Sequence, residues 1–110
     1  MAFDEQLLRK FDLNALVTFM VVYRERSVSR AACKLNVTQP AVSNSLRKLR
    51  SRFGDPLFIP HCRYIQPTPL ATRIAETLEP VLFGLQGVLA AAQCTIEGRG
   101  QAREALHVSG

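Results

Sequence analysis

Three hydrogen-bonding side chains, Gln39, Ser43 and Asn44, follow one another at i, i+4 and i+5. That spacing sets them on one face of a helix, with Val42, Leu46 and Leu49 on the other. A glutamine or asparagine amide presents an acceptor beside a donor, which matches the exposed edge of adenine, and a serine hydroxyl adapts to either role. Cations crowd the same stretch. Residues 24–63 hold nine basic side chains, among them Arg30, Arg47, Lys48, Arg50 and Arg63, against two acidic ones, a net of +7; the remainder has five against seven, a net of −2. Three polar side chains on a helix are ordinarily a solvated surface. The frame of cations makes this stretch a candidate face for a polyanion.

Other chemistries find little footing. The chain has no glycine-rich phosphate cradle, no Gly-x-Ser-x-Gly elbow and no His-Glu-x-x-His pair, which argues against an enzyme. His61 and His107 are too far apart for a local zinc site, although His61 adjoins Cys62, so neither metal nor cofactor is expected. Cys33, Cys62 and Cys94 are odd in number and spread along the chain, which fits a disulfide framework poorly; incidental roles are expected, with redox sensing the minor alternative. No run approaches the roughly 18 consecutive apolar residues of a membrane span. The first ten residues carry Asp4 and Glu5 but no apolar signal core. A membrane-surface helix would set its cations opposite a bulky apolar face, whereas Pro40, Gly54, Pro56 and Pro60 break the basic stretch. The expectation is a cytoplasmic protein with no membrane partner. At 110 residues, 47% hydrophobic and 21% charged, the chain suits one compact domain.

The elements that must position the polar face read as follows. Asp12 caps a helix that carries Leu13, Leu16, Val17, Met20 and Tyr23 at helical spacing and ends near Arg26. Ser27 to Ser29 supply a second cap, and a short helix bearing Ala31, Ala32 and Leu35 stops at Asn36, which tolerates the left-handed backbone of a tight turn. Val37 is the apolar plug of that turn. Thr38 caps the polar-faced helix, Pro40 sits in its first turn, and Gly54 ends it. Residues 28–47 thus carry small and apolar residues (Ala31, Ala32, Leu35, Val37, Val42, Leu46) where a helix-turn-helix needs its shared core.

Beyond it, Leu57 to Ile59 and Tyr64 to Ile65 suggest a small hairpin with His61, Cys62 and Arg63 at its tip. Thr68 and Pro69 then open a helix with Ile74, Leu78, Val81, Leu85, Val88 and Ala92 at alternating gaps of four and three, a heptad seam suited to pairing with another helix. Pro80, Gly84 and Gly87 predict a kink or hinge within it. The stretch from Glu97 to Gln101 reads as a linker, and residues 105–108 as an opening strand.

In Asp12-Leu13-Asn14, Arg30-Ala31-Ala32, the run from Leu35 to Ser43 with its Gln39-Pro40-x-x-Ser43 core, Leu57-Phe58 and Pro67-Thr68, the sequence resembles the LysR-type bacterial transcriptional regulators over residues 12 to 90. Asp55 to Phe58 and Pro67 to Pro69 look most like the branch containing nodulation regulators. The resemblance implies a mainly α fold: a winged helix-turn-helix of three helices plus a short β-hairpin wing, followed by a long dimerisation linker helix. The expected divisions are an N-terminal extension (1–10), the DNA-binding domain (11–68, helix-turn-helix 28–47), the linker helix (69–93), and a hinge with the start of an effector domain (94–110).

By the same similarity Gln39, Pro40, Ser43 and Asn44 face bases. Ser29, Arg30 and Thr38 hold phosphates, joined by Arg47, Lys48 and Arg50, and Arg63 enters the minor groove. The partners implied are double-stranded DNA, read as an inverted repeat, and a second copy of the chain through Ile74, Leu78, Val81, Leu85 and Val88, or a tetramer in a longer protein. The small-molecule inducer of the missing effector domain is not legible. Two residues depart from the pattern, since many family members have arginine at the position of Asn44 and an acidic residue at that of Arg50. The alternative is a dimerisation scaffold with only non-specific DNA affinity, and steep salt dependence of binding to a defined site separates the two.

Overall fold

The protein, described over residues 2–103 in a computed structural model, divides after Thr77 into two compact units. The first contains α1 (Glu5–Arg9), α2 (Leu13–Glu25), α3 (Val28–Leu35), α4 (Gln39–Phe53), an antiparallel hairpin of β1 (Phe58–His61) and β2 (Tyr64–Pro67), and the opening turns of α5 (Pro69–Arg103). Side-chain caps set the starts. Asp12, Ser27, Thr38 and Thr68 accept from the backbone N–H of Asn14, Arg30, Ala41 and Ala71 at 2.9, 3.2, 3.2 and 3.1 Å, satisfying donors the helices leave open. Left-handed residues set the ends, with Arg26, Asn36 and Gly54 at φ 56°, 57° and 63°. At Asn36 the stop is a Schellman turn: Asn36 N–H donates to the Cys33 carbonyl and Val37 N–H to that of Ala32.

α3 and α4 each pack on α2, and Val21, Val22, Ala31, Ala32, Val42 and Leu46 form their common core, with Leu35, Phe58 and Ile65 against it. Two sequence expectations fail here. On α2 the buried set is Ala15, Thr18, Phe19, Met20, Val21 and Val22, whereas Leu13 is exposed and Leu16, Val17 and Tyr23 are only half-buried. The helix is apolar on nearly every side, so spacing alone could not fix its rotation, and counting large residues overlooked the small Ala15 and the polar Thr18. Val37 is 45% exposed and does not belong to the buried core; its backbone N–H, tied to the Ala32 carbonyl, closes the turn.

The hairpin pairs Phe58 with Pro67 and His61 with Tyr64, so His61 belongs to the strand and only Cys62 and Arg63 make the tip. Leu57 lies before the strand at φ 66° and is buried. Its N–H donates to Asp55 Oδ2 at 2.8 Å, its carbonyl accepts from Thr68 N–H at 2.9 Å, and Thr68 Oγ1 donates to the same Asp55 oxygen at 2.7 Å. Ile65 N–H reaches the Arg26 carbonyl, which ties the wing to the end of α2.

The N-terminal extension, for which no element was expected, holds α1, capped by the Asp4 side chain on Leu7 N–H. Phe11 packs against Phe53 of α4 with ring centroids 5.1 Å apart and the rings tilted by 34°. Helix α5 continues to Arg103, past the expected end at 93 and through the stretch read as a linker; the strand expected at 105–108 lies outside the described residues. Pro80, Gly84 and Gly87 do not break it. A glycine within a helix costs only about 1 kcal/mol, and Thr95 Oγ1 to the Ala91 carbonyl and Gln93 to Glu97 are bonds along the helix in the region where a stop was expected. By length and composition residues 69–97 are also apolar enough to cross a membrane, with mean hydropathy 1.3 over the most apolar window. The expectation of no membrane-length segment rested on an unbroken apolar run, and Gly, Gln and Pro punctuate this one.

Candidate nucleic-acid interface

Helix α4 divides cleanly. Val42, Leu46 and Leu49 are buried to 1–3% residual exposure, while Gln39, Pro40, Ser43, Asn44, Arg47 and Lys48 are exposed. The Thr38 hydroxyl caps the helix as an acceptor, which leaves its O–H free to donate outward. Ser29 and Arg30 stand exposed in the first turn of α3; Ser27, rather than Ser29, is the cap there, and the two hydroxyls lie 3.2 Å apart. An open groove of about 770 Å³ brings Ser29, Arg30, Lys34 and Gln39 together, with Glu25 and Cys33 completing its wall. Two expected phosphate ligands and one expected base reader therefore share a surface.

Asn44 is not free as the sequence suggested. Arg47 Nη2 donates to Asn44 Oδ1 at 2.8 Å. That bond takes one of the two lone pairs of the amide oxygen, so a two-point grip on adenine would share the oxygen with Arg47. Arg50 is half-buried and lines neither this groove nor the one on the other side of α4, which sets it apart from Arg47 and Lys48. Arg63 is exposed at the wing tip beside Cys62, itself at φ 55°. Cys33, Cys62 and Cys94 are exposed free thiols.

Sequence reasoning missed part of the basic surface. A second groove of about 670 Å³ is lined by Arg9 and Lys10 from the extension, Asp12, and Asn44, Arg47, Lys48 and Arg52 from α4. Arg52 follows Lys48 by four residues, so its place on the same side of the helix was legible. Arg9 and Lys10 carried no signal, because nothing in the sequence said that Phe11 docks the extension onto α4.

On α5, Val81 and Val88 are 60% and 65% exposed, and Ile74, Leu78 and Leu85 half-buried. Phe83, Leu89 and Ile96 are exposed as well, so the uncovered apolar surface is wider than the heptad seam.

Residues 13–72 match the model of the bacterial regulatory helix-turn-helix proteins of the lysR family. Over 78 residues the chain is 49% identical to the HTH-type transcriptional activator NagR of a Ralstonia species, covering 71% of this chain and 25% of that protein. It is 43% identical over 82 residues to the HTH-type transcriptional activator NahR of Pseudomonas putida, covering 74% and 27%. The chain thus spans about a quarter of the length of these relatives. Among solved structures it is similar to the "probable transcriptional regulator PA0477" from Pseudomonas aeruginosa, with a TM-score of 0.73, 36% identity, and coverage of 77% and 28%. A complex of the BenM DNA-binding domain with catB site 1 DNA superposes with a TM-score of 0.70 at 24% identity, over 77% of this chain and 96% of that one, a likeness of fold.

Proposed function

The chain belongs to the LysR family of bacterial helix-turn-helix regulators, and from that premise we propose that it binds double-stranded DNA sequence-specifically as part of a cytoplasmic transcriptional regulator. Helix α4 enters the major groove. Gln39, Pro40, Ser43 and Asn44 meet base edges, Ser29, Arg30, Thr38, Arg47 and Lys48 hold the phosphates on either side, and Arg63 at the wing tip lies in the minor groove, whose negative potential attracts it. Arg50, half-buried, contributes charge near the backbone. The observation that carries the reading is the division of α4: one helix buries its apolar face in the core of three helices and presents hydrogen-bonding side chains in a frame of cations.

The exposed apolar surface of α5 supports a homodimer, in which two recognition helices related by a two-fold axis read an inverted repeat with half-sites about one helical turn apart, or a multiple of it. A partner helix covers that surface better than water does, since Val81, Val88, Leu89 and Ile96 are all exposed and lie within about 100° of one another around α5, a stripe that a monomer rarely exposes. Fluorescence anisotropy with a duplex selected from random sequence tests the reading. Affinity for the selected site should fall steeply as salt rises, because neutralised phosphates release counterions, and should exceed affinity for random duplex by about 10³-fold or more. Equal affinity for both would leave only a non-specific scaffold.

A further inference from the structure

We propose that Arg9 and Lys10, together with Arg47, Lys48 and Arg52, form a second phosphate clamp that grips the DNA backbone on the side of α4 away from Arg30. The proposal rests on the reading that α4 lies in the major groove. A helix seated there is flanked by two phosphate rails. The groove holding Ser29, Arg30 and Gln39 faces one. The groove between the extension and α4 faces the other, because Asn44, a base-side residue, stands in its wall.

Five cations line that groove and a single carboxylate opposes them. Asp12 is already engaged, with Oδ1 accepting from Asn14 N–H at 2.9 Å and Oδ2 lying 3.8 Å from Lys48 Nζ. Among the described residues, Arg9, Lys10 and Arg52 have no carboxylate within ion-pair distance. Uncompensated cations repel one another, and a row of phosphates is the partner that relieves this along an open groove. The extension is placed as well as charged. Phe11 rests on Phe53, and Lys10 and Phe11 donate their backbone N–H groups to the Leu7 and Leu8 carbonyls, so Arg9 and Lys10 are carried on an ordered turn. Both residues precede the segment that matches the family model, which begins at residue 13.

The test uses the whole chain and the selected duplex, with affinity measured by anisotropy across a salt series. Relative to the unaltered protein, R9A/K10A should flatten the slope of log affinity against log salt by about 1.8 per protomer, at about 0.9 for each phosphate no longer neutralised. The selected sequence should not change, since phosphate contacts carry no base information. R24A/R73A removes the same charge from exposed positions outside the groove and should leave most of the slope in place. A slope unchanged in R9A/K10A, or flattened equally by R24A/R73A, overturns the clamp while DNA binding stands. Failure of the unaltered chain to bind any duplex would instead overturn the reading on which the clamp depends.

Discussion

Replacing Thr68 by valine keeps the shape of a buried side chain and removes one hydroxyl, which joins three elements. Thr68 Oγ1 donates to Asp55 Oδ2 at 2.7 Å and accepts from Ala71 N–H at 3.1 Å. The same carboxylate oxygen holds Leu57 N–H, and Leu57 stands at φ 66°, where a side chain costs about 1–2 kcal/mol. Burial of Leu57 and its two backbone hydrogen bonds offset that strain. Losing the cap of α5 costs about 0.5–2 kcal/mol. Losing a bond to a charged acceptor costs about 1.5–3 kcal/mol in a dry site, and less here because Asp55 is half-exposed and water replaces part of it. The expected destabilisation is therefore about 2–3 kcal/mol. Urea unfolding followed by circular dichroism, at one fixed protein concentration so that any self-association is constant, measures it. Thr68→Ser retains the hydroxyl and should recover most of the loss. A change below about 0.5 kcal/mol for Thr68→Val, or an equal loss for Thr68→Ser, would refute the claim that this hydroxyl holds the wing base.

Base readout is tested by Gln39→Ala and Ser43→Ala, each expected to cost about 1–3 kcal/mol on the selected duplex and to relax sequence preference at one position; equal losses on random duplex would remove them as readers. Because Arg47 holds the Asn44 oxygen through one of its lone pairs, Arg47→Ala should weaken binding to all duplexes and let the amide reorient, while Asn44→Arg should shift preference from adenine toward guanine at one position of the selected site; a selected motif unaltered by Asn44→Arg would show that Asn44 does not read a base. Val81→Asp with Leu85→Asp sets like charges on the exposed face of α5 and should shift sedimentation equilibrium to monomer with sharply weaker DNA binding. A variant that stays dimeric would place self-association elsewhere than on this face.

The helix-turn-helix was legible because its signals are local and discrete. Ser27, Asn36, Thr38, Pro40 and Gly54 each act on the backbone within a few residues, and all five mark the helix boundaries observed. The split of α4 was equally plain, since polar and apolar residues alternate there with helical period and little ambiguity. The rotation of helix α2 is not legible in this way because it is a core helix. When residues such as Val17, Phe19, Met20, Val21 and Val22 cover nearly the whole circumference, several rotations bury comparable apolar area, and tertiary packing against α3, α4 and Phe58 makes the choice. The basic groove on the far side of α4 was hidden for a related reason. Its two walls meet through contacts between residues far apart in sequence, the packing of Phe11 on Phe53, forty-two residues apart, and the ion pair of Asp12 with Lys48.

Helix α5 shows how far a local stop signal can be trusted. Gly54 ends α4 with a left-handed backbone, followed directly by the Asp55 clasp that turns the chain into the wing. Gly84 and Gly87 are the same residue type and end nothing, because no competing turn follows them and the helix continues at a cost of about 1 kcal/mol each. Glycine permits a stop; the residues after it enforce one. At Gly84 and Gly87 an added Cβ would meet nothing within 4 Å. Alanine at both positions should then stabilise α5 by about 0.5–1 kcal/mol each. Paired thermal unfolding of the unaltered chain and G84A/G87A reads this directly, and a lowered midpoint would mean that a partner backbone approaches α5 at these two positions, in space that a single copy of the chain leaves open.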